Sequence, residues 1–273
     1  MTSGSRHRSS LPWTSYWITG ASSGIGAAVA EELSRAGTRL VLSGRSEERL
    51  AAVAEKCRAR GATVEELAFD IGDAGERARA IDTVTRSGVP DALINNAGLS
   101  QRGTAAETDT AVDRRIMEVD YLAAVELTKA VLPAMLARRY GLVVAVSSIA
   151  GFAPVPLRSS YNAAKAAQVA FFGTLSNELV DTGVQVRVVI PGFVRTRVSQ
   201  NALTASGTPA KTMDPNQAGG ISPQEAARAI LAGLPRRNHR IFLGMGAKLW
   251  SMYWLSRMAP RLLDRALQRA RVR

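Results

Sequence analysis

One cysteine and two histidines are all the thiol and imidazole that this chain carries. Cys57 has no partner with which to build an internal disulfide framework. It falls in a stretch of helical pattern, as a packed or surface position, and no histidine lies near it to make it a nucleophile. Such cysteine usage is compatible with a reducing compartment. His7 and His239 lack neighbours at metal-ligand spacing, so no metal is expected; they read as a tail residue and a strand-edge residue. No run of about 18 apolar residues occurs, so no membrane-spanning helix is expected. Residues 1–10 are rich in Ser and Arg and have no apolar core, which excludes a secretory signal. Residues 1–14 read as a short disordered lead-in, and the expected location is cytoplasmic.

Acidic charge is in deficit. Against 23 Asp and Glu stand 35 Lys and Arg, a formal charge of +12. The surplus is spread over helical stretches, with one cluster at the C-terminus. No nucleic-acid motif accompanies it, so no nucleic-acid partner is expected. A basic balance also suits a phosphate-bearing cofactor or an anionic membrane surface. Apolar residues make up 46% of the 273 positions, enough for one α/β domain with both sheet faces covered.

Short apolar runs alternate with longer amphipathic ones. Strands are predicted at 16–19, 39–43, 64–69, 92–95, 142–147, 184–190 and 240–243. Helices are predicted at 27–36, 47–60, 74–87, 112–139, 161–182 and 223–234, with Pro133 bending the long one. Alternation of this kind requires right-handed crossovers and a parallel, doubly wound sheet. Such sheets bind ligands at the carboxyl ends of their strands. Residues 15–243 form one such domain, without internal repeat or linker. Residues 195–221, rich in Gly, Pro, Ser, Thr and Asn, read as a functional lid or a disordered segment.

Four features carry chemistry. Thr19-Gly20-Ala21-Ser22-Ser23-Gly24-Ile25-Gly26 follows the first strand and opens the first helix. Its glycines allow a backbone to approach a pyrophosphate, and the helix offers free N–H groups to it. Alone, the turn reads equally as a tight loop. At the end of the second strand, Ser43-Gly44-Arg45 has no acid to bond ribose hydroxyls, and Arg45 offers a cationic fork to a 2′-phosphate. A solvated Arg opening a helix would look the same. Tyr161 and Lys165 lie four apart on one helix face. A phenol titrates near pH 10 in isolation, and a fixed cation beside it favours the phenolate, so such a pair can pass a proton to or from a substrate oxygen. Alone, the pair is an ordinary exposed helix pair. Ser147 and Ser148 close the strand before that helix, where a hydroxyl can hold a carbonyl oxygen or simply make a turn.

Taken together and in order, these motifs resemble the short-chain dehydrogenase/reductase family, over roughly residues 15–243. The resemblance rests on the Gly-rich turn, Asp70 after the third strand, Asn95-Asn96-Ala97-Gly98 after the fourth, Ser148, Tyr161 with Lys165, and Pro191-Gly192 with Thr196. It implies a Rossmann-type single domain. The thirteen-residue interval to Tyr161 selects Ser148 over Ser147. The cofactor implied is NADP(H) in preference to NAD(H), held by Gly20, Ser22, Ser23, Gly24, Ile25, Gly26 and Arg45. Asp70 and Ile71 would sit by the adenine, and Asn95, Ala97 and Gly98 by the adenosine ribose. Lys165 would bond the nicotinamide ribose. Pro191, Gly192, Val194 and Thr196 would bind the carboxamide and phosphate region. Ser148 and Tyr161 would also touch the substrate, a small-to-medium hydrophobic carbonyl or secondary alcohol. The stretch from Met117 through Lys129 is most similar to the hydroxysteroid- and retinoid-type branch, whose members are often membrane-associated. Helices around 112–139 and 161–182 would pair subunits into a homodimer or homotetramer. In one departure, Asp120 stands where the family's catalytic tetrad usually has Asn. Ionised, it would partly offset the positive field of Lys165. The alternative is a non-catalytic nucleotide-binding sensor or scaffold on the same fold.

Residues 244–273 form an amphipathic basic tail. Trp250, Tyr253, Trp254, Met258 and Leu262 recur at helical spacing beside Arg257, Arg261, Arg265 and Arg269, and Pro260 divides the segment into two helices. Such a pattern fits peripheral contact with an anionic bilayer, or packing on the domain or on a sister subunit with the arginines in water.

Overall fold

The computed structural model describes residues 11–212 and 214–269. Its strands are β1 (Ser15–Thr19), β2 (Arg39–Gly44), β3 (Thr63–Ala68), β4 (Ala92–Asn95), β5 (Gln101–Arg102), β6 (Gly141–Val146), β7 (Val184–Pro191), β8 (Leu203–Thr204) and β9 (Arg240–Leu243). Its helices are α1 (Gly24–Leu33), α2 (Glu47–Arg58), α3 (Ala74–Arg86), α4 (Thr110–Met117), α5 (Ala123–Ala137), α6 (Ser159–Glu178), α7 (Pro215–Ala218), α8 (Pro223–Gly233), α9 (Ala247–Met258) and α10 (Pro260–Arg269). Seven strands make one sheet in the order β3-β2-β1-β4-β6-β7-β9, with every neighbouring pair parallel. The doubly wound α/β fold expected from the alternation is the fold observed.

Successive side chains on a strand point to opposite faces, and here both faces are covered. Ile18, Leu42, Ile94 and Val144 face one core with Leu33, Leu50 and Ile230. Their immediate neighbours Trp17, Val41, Leu93 and Val143 face the other, with Val84, Leu127 and Phe172. Each fully buried aliphatic side chain of this kind contributes about 2 kcal/mol relative to exposure. The chain runs from β1 outward to β3, then returns to lay β4 on the other side of β1. That reversal leaves a crevice at the carboxyl ends of β1 and β4.

Several boundaries differ from expectation, each for a local reason. Helix α1 begins at Gly24, three residues early, so its free N–H groups lie inside the glycine turn itself. The long stretch 112–139 is not one α-helix. It changes to a wider π-type helix over Glu118–Leu122, which buries Val119 and Asp120, and α5 then continues through Pro133 to Ala137. A π-type turn rotates the helical face, and here it aims Asp120 inward. The described residues of the segment expected to be a lid or disordered, 195–212 and 214–221, are mostly turns tied to the domain by short elements. β8 pairs with β5, Val194 bridges Ile221 at the base, and Leu203 bridges Pro209. Of the expected lead-in, residues 1–10 lie outside the described residues, whereas Trp13 is buried and its carbonyl accepts from the Tyr16 hydroxyl at 2.6 Å. Cys57 is buried inside α2, where burial raises its thiol above the ordinary range.

Pro260 does divide the tail, as the first residue of α10. The expected aromatic face is split, however. Tyr253 is buried against Phe152 and Phe242, at ring distances of 5.2 and 5.0 Å, and the Arg257 guanidinium lies 5.1 Å over the Phe152 ring. Trp250, Trp254, Met258 and Leu262 stay exposed. No helix among the described residues is long and apolar enough to cross a membrane. On the helices expected to pair subunits, Leu122 and Leu136 are exposed.

Candidate active site

A cavity of about 640 Å³ occupies the crevice at the strand ends. One end is the glycine turn. Gly20 and Gly24 hold positive φ angles of 65° and 59°, which glycine adopts without strain. A Cβ on Gly20 would come within 2.9 Å of the Ala97 Cα. The turn is clipped to the loop after β4: Asn96 Nδ2 donates to the Thr19 carbonyl at 2.9 Å, and the Asn96 and Ala97 N–H groups both donate to Thr19 Oγ1 at 3.0 Å. Ser22, Ser23 and Ile25 line the cavity with these glycines.

Beside the turn stand Arg45, at the end of β2, and Arg49, in the first turn of α2; both are exposed and line the cavity. Gly44 lets β2 approach Ser22, whose Oγ a Cβ would meet at 3.1 Å. Asp70 and Ile71 line the same end. Burial alone would raise the Asp70 carboxyl. The Gly72 N–H and the Arg115 guanidinium, both hydrogen-bonded to it, outweigh that and hold it below the ordinary carboxylate range.

At the centre, Ser148, Tyr161, Lys165 and Asp120 line one stretch of wall. Ser147 and Ser148 have different partners. Ser147 Oγ donates to the Lys165 carbonyl at 2.9 Å, tying β6 to α6, while the half-buried Ser148 accepts from the Ala150 N–H at 3.1 Å. Tyr161 is half-buried, and Lys165 Nζ lies 5.7 Å from the centre of its ring. The Lys165 ammonium is buried. It donates to the Val146 carbonyl at 3.1 Å and to Gln168 Oε1 at 3.2 Å, and it stands 3.1 Å from Asp120 Oδ2. That last approach is an ion pair without hydrogen-bond alignment. Asp120 Oδ1 accepts from the Leu99 N–H at 2.6 Å. Burial pushes the Asp120 carboxyl up, against the opposing pull of Lys165 and of the Leu99 N–H. Two hydroxyls and a buried cation therefore line the same cavity, the donor set needed to bind a carbonyl or alcohol oxygen.

The far end is built from the end of β7, the 195–221 segment and the tail. Pro191, Gly192, Val194 and Thr196 line it. The Thr196 methyl carbon would lie 3.2 Å from a Cβ on Gly24, so this segment reaches across to the turn. Arg102, Arg158 and Asp214 also line the cavity. Asp214 Oδ2 accepts from Arg102 Nη2 at 2.8 Å and from Arg158 Nη2 at 2.5 Å. Lys248, Leu249 and Met252 of α9 and Leu267 of α10 complete the wall.

Two expected site residues do not reach the cavity wall. Asn95 is buried beneath it, donating to Thr128 Oγ1 on α5 at 3.1 Å, because alternation along β4 turns it to that face. Its neighbour Asn96 faces the turn instead. Gly26 is packed behind the turn, where a Cβ would meet the Gly20 carbonyl oxygen and Asn96 Nδ2, each at 2.5 Å. Sequence reading missed Asn96, Gln168, Arg115 and the Arg102–Asp214–Arg158 cluster. Gln168 alone had a local signal, three residues beyond Lys165 on one helix face.

A carboxyl raised above its unfolded value loses folding free energy as pH rises through its native titration. Asp120→Asn removes that loss. The variant should therefore gain stability on the wild type as pH rises above about 4, where the carboxyl of the unfolded chain titrates. Urea midpoints measured across that range test this, and a pH-independent difference would refute it.

The geometry has counterparts among known proteins. The sequence profile of the short chain dehydrogenase family matches residues 15–206. The chain is 41% identical over 257 residues to dehydrogenase/reductase SDR family member 7B of Bos taurus, covering 92% of this chain and 79% of that protein. It is 39% identical over 249 residues to dehydrogenase/reductase SDR family protein 7-like of Anopheles gambiae, covering 89% and 78%. A short-chain dehydrogenase from Sphingobium yanoikuyae, solved in complex with NADPH, superposes with a TM-score of 0.76 at 31% identity over 94% of both chains. With a matching profile over most of its length and the sheet order to go with it, this chain belongs to the short-chain dehydrogenase family of oxidoreductases.

Proposed function

We propose that the protein is an NADP(H)-dependent oxidoreductase that interconverts a carbonyl and a secondary alcohol on a small-to-medium hydrophobic substrate. The observation that carries this reading is the wall shared by Ser148, Tyr161 and a buried, triply coordinated Lys165. The glycine turn fits the cofactor's pyrophosphate: Gly20 leaves room that a Cβ would close, and the N-terminus of α1 offers unpaired N–H groups. Arg45, at the end of β2 where an acid would bond the ribose of NAD, and Arg49, in the first turn of α2, support the 2′-phosphate form. The similar short-chain dehydrogenase from Sphingobium yanoikuyae was solved in complex with NADPH.

When bound, the nicotinamide supplies or accepts the hydride. The rest falls to this chain. Ser148 donates a hydrogen bond to the substrate oxygen. Tyr161 gives that oxygen a proton during reduction and takes one from the alcohol during oxidation. Lys165 stabilises the phenolate that Tyr161 leaves behind. Val146 and Gln168 hold the ammonium, and Asp120 moderates its field.

The C-terminal helices also support peripheral contact with an anionic bilayer. Trp254, Met258 and Leu262 are exposed beside Arg261 and Arg265. This contact uses only part of the aromatic pattern, since Tyr253 and Arg257 are engaged with Phe152.

Tyr161→Phe should lower turnover by a factor of about 100 or more while NADPH still quenches protein fluorescence. Retained turnover would sink the assignment. Arg45→Asp should raise the KM for NADPH about tenfold and shift preference toward NADH. An unchanged cofactor ratio would remove Arg45 from the phosphate site. The triple variant Trp254→Ser, Met258→Ser, Leu262→Ser leaves the packed face of the tail intact. It should cosediment with phosphatidylserine vesicles several-fold less than wild type, and equal cosedimentation would end the membrane reading.

A further inference from the structure

Three carboxylates line the cavity, and each already faces a cation: Asp70 faces Arg115, Asp120 faces Lys165, and Asp214 faces both Arg102 and Arg158. The third arrangement is unbalanced. Two guanidiniums share a single carboxylate oxygen, Asp214 Oδ2, so one positive charge is left over. Arg197 and Lys248, on the same cavity wall, have the same sign. Arg102 Nε is buried and has no partner among the described residues. A buried guanidinium N–H without an acceptor is destabilising, and an incoming anion would supply the acceptor.

The fold holds the two arginines side by side. Arg102 lies in β5, fixed by its pairing with β8, and the Gly103 N–H donates to the Leu157 carbonyl at 3.1 Å. Leu157 adopts a φ of 65°, uncommon for a branched side chain. Strain of that kind persists only where the surroundings enforce it, and it tends to occur at ligand sites. Arg158, which follows, immediately precedes α6, three residues before Tyr161. Both arginines line the cavity that Tyr161 also lines. Around it the wall is apolar, with Val155, Leu157, Leu249, Met252 and Leu267.

Resting on the reading of Tyr161 as acid and base, we infer that Arg102 and Arg158 form an anion subsite. It selects substrates that carry a carboxylate or a phosphate monoester close to the reacting carbonyl, with a hydrocarbon chain along the apolar wall. Asp214 is the positioning residue. It aligns both guanidiniums and keeps the pair from repelling, and the substrate anion takes the donors that Asp214 leaves open. A bidentate or charge-assisted contact of this kind separates an anion from its neutral isostere by about tenfold or more.

The test uses probes that a nicotinamide cofactor neither reduces nor oxidises, on the full chain, so it does not depend on turnover. Binding of octanoate, octyl phosphate and the neutral isostere octanamide is followed by calorimetry, with NADP+ present to occupy the arginines at the other end. Octanoate or octyl phosphate should bind about tenfold or more tightly than octanamide, and the tighter of the two identifies the anion. Arg158→Gln and Arg102→Gln should each remove the preference, and Arg158→Lys should retain part of it. Octanamide binding as tightly as both anions would overturn the subsite. So would an anion preference that survives in folded Arg158→Gln and Arg102→Gln, because the cluster would then be only a tie between β5 and α6. The turnover of Tyr161→Phe is measured in a separate experiment, so failure of the acid–base reading and failure of the anion subsite cannot be confused.

Discussion

The buried ammonium of Lys165 is the constraint around which the centre of the molecule is arranged. An unpaired charge removed from water would cost several kcal/mol, so the fold must bring acceptors to it. They come from three directions: the Val146 carbonyl at the end of β6, Gln168 on α6 itself, and Asp120 from the π-type turn. Asp120 is held in turn by the Leu99 N–H beyond β4. The backbone of the same lysine accepts from Ser147. Strands β4 and β6, α6 and the α4–α5 junction therefore meet at one side chain. Displacing Lys165 would take away the cation that faces Asp120 Oδ2 and the donor to the Val146 carbonyl and Gln168 Oε1.

This explains why a helix that reads as continuous from 112 to 139 does not run as a regular α-helix. The π-type turn over Glu118–Leu122 adds one residue to the turn, and with it Val119 packs among Leu99, Val112, Ile116 and Ala164 while its neighbour Asp120 faces Lys165. Nothing in the local pattern of apolar residues marks such an insertion, because its cause is a lysine 45 positions further along the chain. By contrast, the seven strands of the main sheet were legible, though not the small β5–β8 pair. Short apolar runs alternating with amphipathic ones point to parallel pairing and to a crevice at the strand ends, and Tyr161, Lys165 and the glycine turn follow from spacing within single elements. What stayed hidden were contacts between distant segments. Asn96 could not be told from Asn95 until alternation along β4 turned one to the glycine turn and the other to Thr128.

The tail shows the same limit in another form. Its spacing of aromatic residues described a helix face correctly, but not what that face covers. Tyr253 and Leu249 are drawn into the core, and Arg257 stacks on Phe152, because β9 and the end of β7 leave an apolar shelf there. Gly192 has no side chain where one would collide with the Gly244 carbonyl and the Leu249 methyl, so the tail can lie directly on the strand end. Trp254 and Met258 are then left outside, which is a consequence of packing rather than a property of the segment alone.

The two ends of the cavity consequently have different origins. The end with the glycine turn, Arg45 and Asp70 is made by β1 to β4 and the short connections after them, where motif spacing and geometry are tightly coupled. The other end is made by Arg102, Arg158, Asp214, Leu249, Met252 and Leu267, drawn from three elements and two connections across much of the chain. A wall assembled in this way can change one side chain at a time without disturbing the phosphate turn or the Lys165 cluster. Chemistry and cofactor can stay constant while the substrate end is redrawn. The same independence is why the first end could be read from sequence and the second had to be seen.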